Sequence, residues 1–534
     1  MQALKQKWLL LFCCVSIVYF AVAGLLGFEK QLWNDELFTF YISQRSTLRD
    51  VWGVLLTGAE QLPPLFYVIT RGFNAVFGRS ALSFRLPEIL GFWVMSAGLF
   101  CFVRRRSPVP FACIAMILPM LTSAFYYAYE ARPYGLVLGF SALALLCWQS
   151  AAEGRMRTLS LVGMSLSLAA ALSCHYYAIL CFAPFALGEG VRTVVIRRPD
   201  FWIWIALLCG FLPLALFLPL IHAARGYSST FWAKPRWTTP LAFYQGLLGP
   251  LALLMLLVIT IILALYSCSR FSEGTARPDK FWTLPIHEAA AAFGFVLVPI
   301  IGVVLAKTVT GAFTDRYAVS AVMGLSIVLA CSLSVIGRES GRAGLLIAAV
   351  LVTFFVIESI RTYRHLATQA QERATLYGFL RSYAGGTIPL VLAGPHLFFE
   401  LSHDARQRQE KTNFIFLADA ALAIRYTDTD DVERGLLNLR YLAPLDVRDF
   451  HRFCASNGEF LLYDNSEAFS WVARELFKEQ RKLTVVAQNG GGLLFRVLPK
   501  GGQDLAYASS PSPAFSIFGS DCKYANCSAI RSKQ

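Results

Sequence analysis

Residues 8–41, WLLLFCCVSIVYFAVAGLLGFEKQLWNDELFTFY, decide how the chain folds. The run from Trp8 to Phe28 is apolar over about 20 residues, the length that crosses the hydrocarbon of a bilayer. It is too long for a signal-peptide core and lacks a convincing cleavage site, so it reads as a retained anchor. Lys5 and Lys7 precede it, which places the N-terminus in the cytoplasm and Trp33 on the outer side. Beyond it, Trp33, Leu37, Phe40 and Tyr41 recur at helical spacing around Asn34, a good N-cap residue. The pattern predicts a short amphipathic helix lying on the bilayer, with Asp35 and Glu36 in its first turn, where the helix dipole favours negative charge. Acidic residues are common in first turns for that reason alone, so the pair gains meaning only from the rest of the chain.

Of the 534 residues, 56% are hydrophobic and 15% charged, and the mean hydropathy is +0.53. That composition belongs to a polytopic membrane protein and excludes a soluble enzyme with one large core. A net charge of +14 would raise nucleic acid as a partner in a soluble protein. Here the basic residues cluster between apolar runs, as in cytoplasmic loops facing anionic membrane lipids, and no basic stripe with interleaved aromatics occurs, so no nucleic-acid partner is predicted. Most of the 13 cysteines lie in apolar runs, and there is no CxxC or zinc-type spacing. Cys522 and Cys527 are close enough for a small loop disulfide if that end lies outside the cytoplasm.

A second interfacial helix is predicted after Gln61-Leu62-Pro63-Pro64-Leu65-Phe66-Tyr67, since Pro suits a helix start while Arg71 and Asn74 are costly at a bilayer centre. Later apolar runs turn back at Arg104-Arg105-Arg106, at Arg155 and Arg157, at Arg197-Arg198, at Arg270, Arg277 and Lys280, and at Arg338 and Arg342. Every inferred cytoplasmic turn therefore carries Lys or Arg, giving about eleven transmembrane helices with the N-terminus in and the C-terminus out. Residues 1–360 read as the transmembrane catalytic domain and 361–500 as a small extracytoplasmic α/β domain, with strands expected at 388–392, 414–417, 460–463, 483–486 and 493–497. The Ser-, Pro- and Gly-rich tail, 501–534, reads as disordered.

The outer loops then hold Asp35 and Glu36, Glu130 and Arg132, His175, and Asp315 with Arg316. Moving a sugar from a lipid phosphate to a hydroxyl needs a carboxylate base and positive charge on the departing phosphate, and no strong acid. Both parts are present.

Asp35-Glu36, Pro63-Pro64-Leu65-Phe66-Tyr67, Leu82-Ser83-Phe84-Arg85-Leu86-Pro87, Glu130-Ala131-Arg132-Pro133-Tyr134 and Asp315-Arg316-Tyr317 resemble, in that order, the GT-C glycosyltransferase superfamily over about the first 340 residues. The resemblance is to the bacterial branch of protein mannosyltransferases, lipid A aminoarabinose transferases and rhizobial lipopolysaccharide-core transferases. It implies a transferase of the bacterial inner membrane, with its site on the outer face, a polyprenyl-phosphate-sugar donor and a glycan, lipid or protein acceptor; backside attack by the activated hydroxyl predicts inversion. Within the catalytic pair Asp35 and Glu36, it names Asp35 as the base; it also implies that Arg132 and Arg316 hold the donor phosphate, with Glu130, Tyr134, His175, Tyr317, Pro64 and Tyr67 lining the substrate pocket. Gln61 departs from relatives that carry His or Lys before Pro-Pro-Leu, so no metal or other cofactor is predicted, while a divalent ion stays open. A secondary transporter or lipid flippase is the main alternative; such proteins carry ionisable groups inside spans and inverted repeats, whereas here the carboxylates sit in loops and no repeat is found. An anchored sensor needs far fewer spans.

Overall fold

The computed structural model describes residues 2–226, 229–249, 284–337, 340–443, 445–489 and 491–499. Most of the predicted eighth span, together with the tail that contains Cys522 and Cys527, lies outside the described residues. Six described helices are long and apolar enough to cross a bilayer, and two bent helix pairs, Phe201–Leu216 with Leu218–Arg225 at 63° and Ile286–Val296 with Val298–Thr310 at 52°, bring the number to eight. The protein is therefore a polytopic helical membrane protein. The first elements are α1 (Gln2–Glu29), α2 (Asn34–Ser43), α3 (Leu48–Leu56), α4 (Leu65–Phe77), α5 (Ala81–Arg104), α6 (Val109–Ile117), α7 (Tyr134–Ala152) and α8 (Arg157–Cys174).

The helices pack as their sequences dictate. Between α5 and α7 the backbones touch: a Cβ on Gly91 would meet the Gly135 carbonyl at 2.6 Å, so only glycine permits the approach. That contact seats residues 130–134 directly over α2. The apolar run 108–125, which the count of about eleven spans includes, is only partly α-helical: α6 gives way to 3₁₀ turns at Leu118–Leu121 and Ser123–Ala128, with Pro119 in the first. Hydrophobic on all sides, α6 is buried from Phe111 to Ile117 and forms the centre of the bundle.

The boundary expected at residue 360 falls inside one uninterrupted helix, Gly341–Ala384, hereafter the long helix. No Gly or Pro occurs from 345 to 377, so nothing stops it. At 44 residues it is about 66 Å long, roughly twice the thickness of a bilayer's hydrocarbon.

Beyond it lies a six-stranded sheet made of β1 (Leu390–Leu392), β2 (Phe414–Ala418), β3 (Asp446–Asp449), β4 (Phe460–Asp464), β5 (Lys482–Asn489) and β6 (Gly492–Leu498), in the order β3-β2-β1-β4-β6-β5. The first four are parallel, and β6 runs antiparallel to both neighbours. β1, β2 and β4 are covered on both faces and read as unbroken apolar runs. β3, with the sequence Asp-Val-Arg-Asp, has one buried residue and lies at the sheet edge, so it carried no apolar signal and was missed.

The largest departure from expectation is α2. Its N-cap is Trp33, with no side-chain cap bond, and Asn34 and every residue from Glu36 to Ser43 are buried. Instead of lying on the bilayer, α2 is covered by the helix Pro395–Gln407 of the α/β unit, hereafter the docking helix. Phe38 and Tyr41 meet Phe399 at 5.3 and 5.8 Å between ring centres, and the Tyr41 hydroxyl lies 3.2 Å from His403 Nδ1. Each aromatic pair adds about 0.5–1.5 kcal/mol beyond its buried area. α2 is thus clamped between the bundle and the α/β unit.

Candidate active site

The two acids of α2 face different partners, as residues about 100° apart on a helix must. Glu36 is fully buried. Arg85 grips it with two parallel bonds, Nε to Oε1 at 2.8 Å and Nη2 to Oε2 at 2.7 Å, while Lys30 Nζ reaches Oε2 at 3.1 Å and the Ala131 amide reaches Oε1 at 2.7 Å. Burial pushes the carboxyl up, but Arg85 and Lys30 outweigh it and bring the pKa down to about 2. Arg85 also donates to the carbonyls of Gly27, Lys30 and Gln31, which closes the turn between α1 and α2. Both oxygens of Glu36 are thus doubly engaged, and the residue ties α1, α2, α5 and residues 130–134 together.

Asp35 turns the other way and keeps 19% of its side chain exposed. Its Oδ2 accepts from Arg316 Nη1 at 2.5 Å, while Oδ1 has only a long 3.3 Å contact from Asn34 Nδ2. Burial raises the carboxyl, yet Arg316 and then Arg132 more than offset it and hold it well below the ordinary carboxylate range. Arg132, brought in by residues 130–134, donates to Glu60 at 2.7 and 3.4 Å and to the Asp35 carbonyl at 3.3 Å. Among the described residues neither Arg132 Nε nor Arg316 Nε has a hydrogen-bond partner, although both are buried. Buried guanidinium N–H groups without an acceptor are costly, and the tetrahedral oxygens of a phosphate supply such acceptors.

The remaining predicted residues surround this pair. Tyr67 is fully buried, its hydroxyl is unpaired, and it feels the charges of Glu60, Arg132 and Asp35. Pro64 is the N-cap of α4, one turn before Tyr67, and contributes by aiming that helix. Tyr134 lies 6.0 Å beneath the Arg316 guanidinium, and its hydroxyl is also unpaired. His175 stacks against Tyr134 and Tyr317 at 5.3 and 5.1 Å, and its Nδ1 accepts from the Tyr177 amide at 3.0 Å. Burial and the two arginines lower it to about 3, so it is a neutral wall. Glu130 does not pair with Arg132; it accepts from the Trp33 indole at 2.8 Å, and burial raises its pKa. Sequence reading missed Arg85, Lys30 and Glu60 as members of the cluster. Arg85 carried a usable signal, because an arginine four residues into an apolar span demands a buried partner. Glu60 sits in an aperiodic loop and carried none.

Among the described residues no group of three or more His, Cys, Asp or Glu side chains gathers as a metal site. Lys30, Trp33, Tyr126, Tyr127 and Asp315 line a cleft of about 2000 Å³ that runs along the long helix.

Residues 61–222 match the family of dolichyl-phosphate-mannose-protein mannosyltransferases, a segment that carries Tyr67, Arg85, Arg132, Tyr134 and His175. The whole fold resembles the crystal structure of ArnT from Cupriavidus metallidurans in its apo state, with 12% identity and a TM-score of 0.56, over 92% of this chain and 98% of that one. A segment of the chain thus matches a glycosyltransferase family model, and the chain as a whole shares the fold of ArnT. The same ArnT bound to undecaprenyl phosphate aligns at 13% identity with a TM-score of 0.52, again over 92% and 98% of the two chains. No curated protein matches the chain at a significant level of sequence similarity. At 12–13% identity the ArnT likeness carries the GT-C fold alone.

Proposed function

We propose that the chain is a GT-C transferase that moves a sugar from a polyprenyl-phosphate donor to an acceptor hydroxyl, with inversion, at the outer face of a bacterial inner membrane. The observation that carries the reading is the Asp35–Arg316 pair, flanked by Arg132, with an unspent guanidinium donor on each arginine. Attack by the acceptor oxygen on the anomeric carbon breaks the bond to phosphate, whose single negative charge becomes two as it leaves. Arg132 and Arg316 stabilise that second charge, and Asp35 Oδ1 takes the hydroxyl proton. When a donor phosphate draws Arg316 away, Asp35 loses the partner that lowers its pKa and becomes a better base, so basicity rises only with donor in place. Undecaprenyl phosphate, bound by the ArnT structure, exemplifies the donor's lipid carrier.

Guanidinium-to-ammonium exchange tests the phosphate role. Arg132→Lys and Arg316→Lys keep the charge but lose the planar fork; each is expected to slow transfer about 10- to 100-fold at native abundance in the membrane. Native rates in both variants would leave the arginines as headgroup anchors.

For topology we assign about eleven spans, counting α6, Ala321–Ile336 and the predicted eighth. The N-terminus lies in, residues 1–360 form the membrane catalytic part, 361–500 the extracytoplasmic α/β unit and 501–534 a tail. Basic turns at Arg104 to Arg106 and at Arg155 and Arg157 support this orientation. Alkaline phosphatase fused after Tyr383 is expected to be active; an inactive fusion there, with an active cytoplasmic reporter, inverts the assignment.

A further inference from the structure

The helix Asp431–Leu439 of the α/β unit, hereafter the cover helix, begins at Asp430-Asp431, where its dipole favours negative charge. Glu433 ties it to its own unit, accepting from the Asp419 amide at 3.1 Å and from the Trp471 indole. The same helix meets three segments of the membrane part. Gly435 lies so close to α2 that a Cβ there would sit 2.9 Å from the Phe38 ring, one turn beyond Asp35. Asn438 Nδ2 donates to the Thr57 carbonyl at 2.9 Å, three residues before Glu60. Asp430 Oδ1 accepts from the Thr230 hydroxyl at 2.7 Å, and Asp431 Oδ2 accepts from the Trp232 amide at 3.1 Å. This last segment runs on to the site. Phe231 is buried, and the Ala233 carbonyl accepts from the Phe313 amide at 3.0 Å. The Phe313 ring lies 6.2 Å from that of Tyr317 and fills the space a side chain on Gly302 would need. The Thr314 carbonyl then accepts from the Tyr317 amide at 3.0 Å, which closes the 3₁₀ turn Asp315–Ala318 that carries Arg316.

From this we infer that Asp431, with Thr230, is a positioning residue for Arg316. By fastening residues 230–233 to the cover helix, the two bonds fix the Phe313 amide and with it the turn that presents the guanidinium to the donor phosphate. The inference rests on the phosphate role proposed above for Arg316. A guanidinium drawn away from Asp35 by phosphate is held by its backbone turn, and a turn already fixed spares the ordering cost that binding otherwise carries. The α/β unit thus acts on donor binding at a distance, through a segment of four residues.

The test is a double-mutant cycle on the full chain in nanodiscs, read as binding of tritiated undecaprenyl phosphate. Asp431→Ala combined with Thr230→Val removes both fastenings and is expected to weaken binding about tenfold, the loss that one or two hydrogen bonds account for. Both positions are half-buried, so folding is spared and the thermal midpoint is expected to hold. In an Arg316→Lys background the same two substitutions are expected to change binding less than about twofold, because the group they position is gone; a merely structural loss would act equally in both backgrounds. Asp431→Asn keeps an oxygen for the Trp232 amide and is expected to bind within about twofold of the native chain. Equal losses in the two backgrounds, or native affinity after both fastenings are removed, overturn the inference and leave the phosphate reading standing. Native binding and native transfer in Arg316→Lys overturn the phosphate reading and this inference together.

Discussion

Replacing Asp35 with Asn is expected to lower sugar transfer about 10²- to 10⁴-fold, or about 3–5 kcal/mol of barrier, while the protein stays folded and still binds undecaprenyl phosphate. An amide keeps the size of the carboxylate and its contact with Asn34 but accepts no proton from the attacking hydroxyl. Folding is spared because Asp35 retains 19% exposure and carries none of the bonds that close the turn between α1 and α2. Donor binding is expected to hold or tighten, since the carboxylate no longer competes with phosphate for Arg316. In the native enzyme the free carboxyl lies well below its usual range, so kcat/KM is expected to show no acid limb from this group between about pH 8 and about pH 5. Transfer in reconstituted protein and binding of tritiated undecaprenyl phosphate measure the two effects separately. Full activity in the Asn variant removes Asp35 as the base.

Glu36→Gln is expected to fail in a different way. It leaves Arg85, fully buried, and Lys30, nearly so, without their carboxylate, and breaking a buried ion pair from one side costs about 3–5 kcal/mol. Thermal unfolding in detergent is the measurement: a large drop in midpoint and loss of protein from the membrane are expected for Glu36→Gln, against little change for Asp35→Asn. A stable, abundant Glu36→Gln protein that binds donor and transfers nothing would move the base to Glu36. The contrast matters because the two acids are adjacent, and activity alone would not separate a clamp from a base.

How much of this was readable follows from the range of the interactions. The alternation of apolar runs and basic turns put Arg132, Arg316 and Asp35 in outer loops, and the resemblance to family motifs gave them their expected roles. Their ion pairing joins positions 281 residues apart and was not visible. The partner of Arg132 is Glu60 rather than Glu130, and choosing between two nearby carboxylates needs three dimensions. The burial of α2 escaped detection for a related reason: its cover is the docking helix, more than 350 residues later, and a helix covered on both sides looks amphipathic until the second layer is known. The apolar strands β1, β2 and β4 announced themselves, while the edge strand β3 did not. Arg85 was legible in principle, as a charge inside a span that calls for a buried partner.

The central claim is sugar transfer from a polyprenyl phosphate by direct displacement at the anomeric carbon, with Asp35 as the base. It is tested most directly by giving the reconstituted full chain an undecaprenyl-phosphate sugar of known anomeric configuration and determining the product linkage by NMR. The account predicts one undecaprenyl phosphate released per sugar transferred and a linkage of the opposite configuration, with both lost in Asp35→Asn. A product that retains the donor's configuration, or transfer that persists in Asp35→Asn, would contradict it.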